Sequence, residues 1–254
     1  MAWYKCKKSS GIAPWATGSD AEIKAVVDAY YAGDLSLADI QAAWNIGDER
    51  EVTLSAMAAT GVGETHASQT VKFVIMNWGG KTLTNNKECL AIVGQKNCLK
   101  ERGYMYKSTT GGWDSSARRS WCNDVYKASI PSDFRSLFKQ HKNLSGTKGG
   151  SSSGTQQTTD YFALPAEIEV FGSTTYSVAG EGSQFKYYET SANRIKYGNN
   201  NGVSNNVAQY WWQGSASSRY GSSNGYFWCN VDTSGSACYD FGSYATGLAP
   251  AFAM

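Results

Sequence analysis

Six cysteines and two histidines are the residue types in this chain that could bind a metal or supply a nucleophile. No two cysteines form a C-x-x-C pair, and neither His66 nor His141 has neighbours at a zinc-type spacing. We therefore predict reduced cysteines that are buried as small apolar side chains, and no metal or cofactor. We expect His66 to lie in a polar turn and His141 to end a helix, where the helix dipole favours it.

Cys229 and Cys238 flank a candidate hairpin loop, Asp232-Thr-Ser-Gly. With a four-residue loop, Val231 pairs with Ser236 and Cys229 lies opposite Cys238, their Cβ atoms about 4.5–5.5 Å apart. That geometry permits a disulfide, whereas synthesis in a reducing cytosol argues against one.

Acid–base or nucleophilic catalysis has little support in the residue pattern. Glu167 and Glu169 are two positions apart in a candidate helix, so their carboxylates face different directions. The sequence contains no G-x-S-x-G, Walker loop or H-E-x-x-H. We predict that the protein is not an enzyme and has no catalytic residues.

The C-terminal segment has a composition typical of binding surfaces. After Lys196 the only charged side chains are Arg219, Asp232 and Asp240, and Ser, Gly, Tyr and Asn occupy 23 of the last 50 positions. Antibody-type binding loops use the same residues, because Tyr gives contact area at low entropy cost and Ser, Gly and Asn give adaptable hydrogen bonds. Absence of Lys and Glu matches their depletion at interface cores.

We therefore predict a ligand-binding face in the segment 205–254, with tyrosines as anchors, small polar residues as adaptable contacts and two charges for direction. The predicted anchors are Tyr220, Tyr226, Tyr239 and Tyr244. The predicted polar contacts are Ser215, Ser217, Ser218, Ser222, Ser223, Ser243, Asn224 and Asn230, and the charges are Arg219 and Asp240. Strand alternation assigns Phe227, Cys229 and Val231 to the core face, and Tyr226, Trp228 and Asn230 to the opposite face.

Residues 1–45 are predicted to form a helical attachment segment. Ser19 and Glu22 form a capping box before a helix that stops at Gly33, and a second short helix begins after Ser36. Two short helices cannot make a core of their own, so we expect them to dock on the main domain or on a partner.

Residues 46–254 are predicted to form one α+β domain, with helices mainly in the first two thirds and antiparallel strands at the end. Asp114 is the predicted N-cap of one helix, Pro131 begins another, and Pro165 takes the first position of a third that ends at Gly172. We interpret 145–159, which has no large apolar residue, as a flexible surface loop inside the domain. The predicted strands are 52–55, 71–76, 88–93, 160–164, 208–213, 226–231, 237–241 and 247–253.

Several spaced blocks resemble an uncharacterised domain family that is frequent in tail-associated proteins of phages and prophages of gut bacteria. Residues 113–123, WDSSARRSWCN, resemble its W-x-S-S-x-x-R-x-W-L-N block, and residues 160–167, DYFALPAE, resemble its D-x-x-F-L-L-S-x-x-E block. Trp211-Trp212 and the ending GLAPAF at 247–252 resemble its W-W-L-R-S-P and G-V-R-P-A motifs. The resemblance covers 46–254 and departs at 213–216, where the usual L-R-S-P is missing.

The ending also resembles the C-type-lectin-like fold of formylglycine-generating enzymes and of the variable proteins of diversity-generating retroelements. In those variable proteins a reverse transcriptase rewrites the C-terminal segment at adenines. Such changes to an asparagine codon cannot produce Lys, Glu, Gln, Trp or Met, so Trp211, Trp212, Gln213 and Trp228 would be fixed scaffold. The lectin calcium motifs E-P-N, Q-P-D and W-N-D are absent, and we predict no calcium.

The resemblance implies a receptor-binding protein of a phage or prophage tail, made in the bacterial cytoplasm without a signal peptide, whose partner is a protein or glycan on a bacterial surface. One alternative is a virion structural subunit without diversification. Another is a copper-dependent formylglycine-generating-type oxidase with Cys229 and Cys238 as ligands. A net charge of +2 and the absence of a long apolar segment give no support for nucleic acid or membrane insertion.

Overall fold

The computed structural model describes residues 11–62, 64–105, 108–147, 154–200, 203–218 and 226–254, apart from the side chains of 199, 200 and 203–206. These residues form a mixed architecture of short helices and antiparallel strands, which confirms the α+β prediction. No helix in the described ranges is long and apolar enough to cross a membrane.

The helices lie mainly in the first two thirds of the chain. They are α1 (Asp20–Ala32), α2 (Leu37–Gln41), α3 (Ala117–Trp121), α4 (Lys127–Ser129), α5 (Ser132–Arg135) and α6 (Glu167–Phe171). A π-helical turn, Cys122–Tyr126, joins α3 to α4, and 3-10 turns occupy Lys186–Glu189 and Ser191–Arg194. The capping boxes at Ser19 and Ser36 stabilise the starts of α1 and α2.

The strands are β1 (Glu49–Leu54), β2 (Gln69–Trp78), β3 (Ala91–Gln95), β4 (His141–Gly146), β5 (Thr155–Asp160), β6 (Phe162–Ala163), β7 (Lys196–Asn200), β8 (Val203–Gln209), β9 (Trp211–Ala216), β10 (Phe227–Val231), β11 (Ala237–Phe241) and β12 (Ala251–Ala253). A five-stranded sheet has the order β1-β2-β3-β12-β6, so the C-terminal strand pairs inside it. A three-stranded sheet has the order β11-β10-β9, and β4-β5 and β7-β8 are two-stranded.

The N-terminal helices belong to the same core as the five-stranded sheet. Ile23 of α1 and Ile40 of α2 are fully buried in one apolar cluster with Phe73 of β2. Trp15 contacts Phe134 of α5, with ring centroids 6.1 Å apart. The apolar residues of the predicted attachment segment therefore pack against the main domain of the same chain.

Two predicted helix starts are wrong. The N-cap of α3 is Ser116, whose hydroxyl accepts from the backbone N–H of Arg119, while Asp114 lies in the turn before it. That turn spans 110–115 and contains Gly112 with a φ of 56°, where an added Cβ would lie 1.8 Å from the carbonyl oxygen of Gly146. Likewise α6 begins after Ala166 instead of at Pro165, and it ends at Gly172 as predicted.

The segment 145–159 is not a flexible loop over its described part. Strands β4 and β5 pair from His141 opposite Asp160 to Gly146 opposite Thr155. His141 therefore begins a strand and does not end a helix. It is buried, and desolvation lowers the pKa of its imidazole to about 3, so the ring is neutral.

The register of the last hairpin separates Cys229 from Cys238. Val231 pairs with Ala237, which leaves five residues in the loop where four were predicted. The extra residue fits because Gly235 adopts a φ of 82° and the Asp232 carboxylate accepts from two loop N–H groups. Cys229 lies opposite Tyr239, so Cys238 points to the other face of the sheet. Both thiols are free, and they cannot bind one copper ion together in this register.

Candidate ligand-binding face

The predicted ligand-binding residues divide into four groups in the structure. Five lie outside the described residues: Arg219, Tyr220, Ser222, Ser223 and Asn224. Tyr226, Ser243 and Tyr244 are exposed, whereas Ser218, Tyr239 and Asp240 are half-buried. Ser215, Ser217 and Asn230 are buried, so these three do not lie on the exposed face.

From Trp228 to Val231, strand β10 is buried on both of its faces, which corrects the predicted division into a core face and an opposite face. Val231 packs in one apolar cluster, while Trp228 and Trp212 pack in the other. Asn230 lies opposite Trp212 of β9 and is covered with it. This covered part of the strand offers no surface to a ligand, whereas Phe227 at its start is half-buried.

A row of contacting aromatic rings crosses one face of β10 and β11, and we call it the aromatic row. Tyr176 contacts Tyr239, with ring centroids 4.9 Å apart, and Tyr239 contacts Phe227 at 5.6 Å. Phe227 then contacts Phe241 at 4.2 Å, and Phe241 contacts Tyr244 at 5.5 Å. Exposure rises along the row, to 40% for Phe241 and 53% for Tyr244.

The aromatic row ends at a cleft of about 480 Å³, which we call the terminal cleft. Its walls include Tyr104, Tyr210 and Tyr244, each more than 40% exposed. The remaining lining residues are Arg102, Asp240, Ser243, Ala245 and Thr246. Three of the predicted ligand-binding residues, Asp240, Ser243 and Tyr244, therefore meet in one cavity.

Backbone pairing brings the two halves of the terminal cleft together. Gly103 and Thr246 exchange N–H to carbonyl hydrogen bonds, at 2.8 and 3.1 Å. The indole of Trp212 donates to the carbonyl oxygen of Gly103 at 2.9 Å. These bonds fix the position of Tyr104 beside the turn that carries Tyr244.

The residues of the first two sequence blocks converge on one buried carboxylate, Asp160. It accepts hydrogen bonds from Trp113 (3.0 Å), from Arg119 (2.6 Å) and from Asn123 (3.3 Å). The Asn123 amide oxygen also accepts from the backbone N–H groups of the residues after Asp160. The blocks therefore join α3 to the strand that precedes α6, and their role is structural.

A second buried network supports the far end of the aromatic row. The Glu167 carboxylate accepts from the backbone N–H groups of Thr175, Tyr176 and Ser177, at 2.7–3.1 Å. The Ser215 hydroxyl accepts from the backbone N–H of Glu167 and donates to Glu181 at 2.6 Å. Ser215 therefore positions the loop that carries Tyr176 and does not face solvent.

Sequence reasoning assigned Phe227 to the core face and did not name Phe241, whereas both belong to the aromatic row. It also missed Arg102, Tyr104, Tyr176 and Tyr210 as members of this face. Tyr210 carried a signal, since it lies in the charge-poor segment directly before Trp211. The other three lie outside that segment, and only long-range contacts place them on the face.

Residues 83–254 match the family described as Domain of unknown function (DUF6273). This chain belongs to that family. Searches of curated proteins and of solved structures found no match. The DUF6273 region contains the aromatic row, the terminal cleft and both buried networks, while α1, α2, β1 and β2 precede it in the chain and pack into the same core.

Proposed function

We propose that this protein is a non-enzymatic recognition protein of a phage or prophage tail, which binds a protein or glycan on a bacterial surface through a diversified C-terminal face. The aromatic row and the terminal cleft are the observation that carries the proposal. They place exposed tyrosines and phenylalanine, without lysine or glutamate, on one connected surface.

The rigidity of this surface supports a role in binding. Phe227, Tyr239 and Phe241 stand on the paired strands β10 and β11, and the Glu167 carboxylate holds the loop that carries Tyr176. Aromatic anchors that are already held in place lose little conformational entropy when a partner binds. We include in the proposal that a C-type-lectin-like fold exposes the C-terminal segment to the partner. This part of the proposal rests on the sequence resemblance.

Neither alternative role has a comparable observation in its favour. The oxidase alternative needs Cys229 and Cys238 at one metal, and their side chains lie on opposite faces of the sheet. Burial also raises the pKa of the Cys229 thiol well above its usual value, which disfavours the thiolate that a metal requires. A structural tail subunit would present this face to another virion protein and would have no need to vary it.

Sequencing the 3′ end of the gene from many cells distinguishes a diversified face from a structural one. We expect substitutions at adenine-containing codons of the exposed positions, with Tyr226, Ser243 and Tyr244 among them. Ser215 and Asn230 should stay unchanged although they lie in the same segment, because they are fully buried. An invariant 3′ end, or variation spread equally over buried and exposed positions, would contradict diversification.

A further inference from the structure

The terminal cleft contains a cation and an anion that do not pair with each other. Arg102 and Asp240 both line it, and among the described residues neither has an oppositely charged group within 4.0 Å. The Nε atom of Arg102 is buried without a hydrogen-bond partner, and the Asp240 carboxylate accepts only from the backbone N–H of Phe241 within the described chain. Both residues are half-buried and line the cavity, so two charges of opposite sign face one ligand position.

The inner wall of the terminal cleft has a further unused polar group. Thr246 is buried, and its hydroxyl has no hydrogen-bond partner among the described residues. Buried polar atoms are nearly always paired, because leaving one unpaired costs free energy. Its hydroxyl oxygen lies behind the accessible surface of the cleft, so Thr246 is an unpaired polar group next to the ligand position and not itself a surface contact.

The tyrosine rings favour the cationic part of such a molecule. Tyr104, Tyr210 and Tyr244 present their rings around the cavity that Asp240 lines. Ammonium groups are attracted to aromatic faces, and a carboxylate close by adds a charge-assisted hydrogen bond. A guanidinium such as that of Arg102 binds phosphate or carboxylate oxygens in a paired geometry.

We infer that the terminal cleft binds a small zwitterionic group, whose anion pairs with Arg102 and whose ammonium lies between Asp240 and the tyrosine rings. This inference rests on the proposed recognition function, for which it names the ligand chemistry. The anion is a phosphate or a carboxylate, and the two sources are separated by the probes below.

The test is calorimetric titration of the full chain with two zwitterions, phosphocholine and glycylglycine. Choline, inorganic phosphate and the neutral sugar methyl glucoside are the comparison ligands. We expect one zwitterion to bind about tenfold or more tightly than choline or phosphate alone, because only the zwitterion engages both charges. Binding of phosphocholine identifies a phosphate anion, and binding of glycylglycine identifies a carboxylate.

Two charge-removing variants complete the experiment. Asp240→Asn and Arg102→Gln should each weaken binding about tenfold or more, while the introduced asparagine keeps an acceptor for the N–H of Phe241. The matched controls are Asp34→Asn and Arg135→Gln, which remove the same charges outside the cleft. If Arg102→Gln does not fold, the inference is still tested by comparing the affinities of the natural chain for the zwitterions, for choline and for phosphate.

Three results would overturn the inference: no binding of either zwitterion, tighter binding of methyl glucoside, or unchanged zwitterion binding in both variants. Binding of the natural chain to bacterial cells is measured in parallel. Cell binding without zwitterion binding overturns the ligand chemistry and leaves the recognition function standing. Absence of cell binding contradicts the recognition function itself.

Discussion

Replacing Asp160 with alanine is expected to lower the free energy of unfolding by about 3–5 kcal/mol, a large part of the stability of an ordinary domain. Asp160 is 1% exposed, and four side chains donate to its carboxylate: those of Trp113, Thr158, Arg119 and Asn123. Alanine leaves the buried indole N–H of Trp113 without its acceptor and removes the acceptor of the Arg119 Nε–H, which costs more than the net value of the bonds.

Asp114→Ala is the matched control, because Asp114 bonds to the same guanidinium at 3.0 Å but has a side chain that is 51% exposed. An exposed ion pair contributes about 0–1 kcal/mol, so this variant should stay close to the natural chain. Urea unfolding of both variants measures the difference. Equal losses at Asp160 and Asp114 would contradict the structural role assigned to the two sequence blocks.

Replacing Glu181 with glutamine is expected to change the free energy of unfolding differently at the two ends of the pH range. Above about pH 7 the change should favour the folded state by about 3 kcal/mol more than the change at acid pH does. Glu181 is fully buried, and desolvation raises the pKa of its carboxyl from 4.5 to about 7. Because the folded-state pKa exceeds the unfolded value, the contribution of Glu181 is complete below about pH 4.5 and is lost as pH rises to about 7. The magnitude follows from about 1.4 kcal/mol for each unit of pKa shift.

Glutamine removes this ionisation and keeps the hydrogen bonds. Its amide oxygen accepts from the backbone N–H of Gly146, and its amide nitrogen donates to the Ser215 hydroxyl, which reverses the direction of the bond that Ser215 now donates. Unfolding of both chains is measured at about pH 4.5 and about pH 8, on either side of the raised pKa, with exposed Glu189→Gln as the control. A stability difference that is the same at both pH values would contradict the raised pKa.

The sequence correctly predicted those helices and strands that are marked by a capping residue, a glycine stop or a turn. The capping box at Ser19 and Glu22 located α1, the Gly172 stop located the end of α6, and the bounds of β11 agree with the prediction. The hairpin β4–β5 was missed because its polar residues show no apolar alternation. Besides the pairing of its two strands, the hairpin is held by the Glu181 carboxylate, which accepts from the backbone N–H of Gly146. That contact is long-range and leaves no local pattern.

Composition predicted the region of the candidate site but not the exposure of each residue in it. Tyr226 and Tyr244 are exposed, as the composition implied, whereas Ser215 and Asn230 have the same residue types as surface contacts and are buried. Burial depends on which segments cover a strand, and that is set by contacts across the whole chain. Tyr104 joins the terminal cleft through the pairing of Gly103 with Thr246, so no local pattern could have indicated it.

The central claim is that the exposed aromatic surface binds a bacterial surface component. Its most direct test is the binding of fluorescently labelled protein to a panel of gut bacterial strains. The test variant changes Phe241 and Tyr244 of the aromatic row together to serine, and the control variant changes the similarly exposed Tyr197 and Val207 to serine. Thermal unfolding verifies that both variants keep the natural fold.

We predict that the natural chain and the control bind the same strains with equal affinity, and that the test variant loses affinity on the order of 100-fold, as the removal of aromatic anchors does. If no strain retains the natural chain, or if the test variant binds as tightly as the control, the assignment of this surface to recognition is wrong.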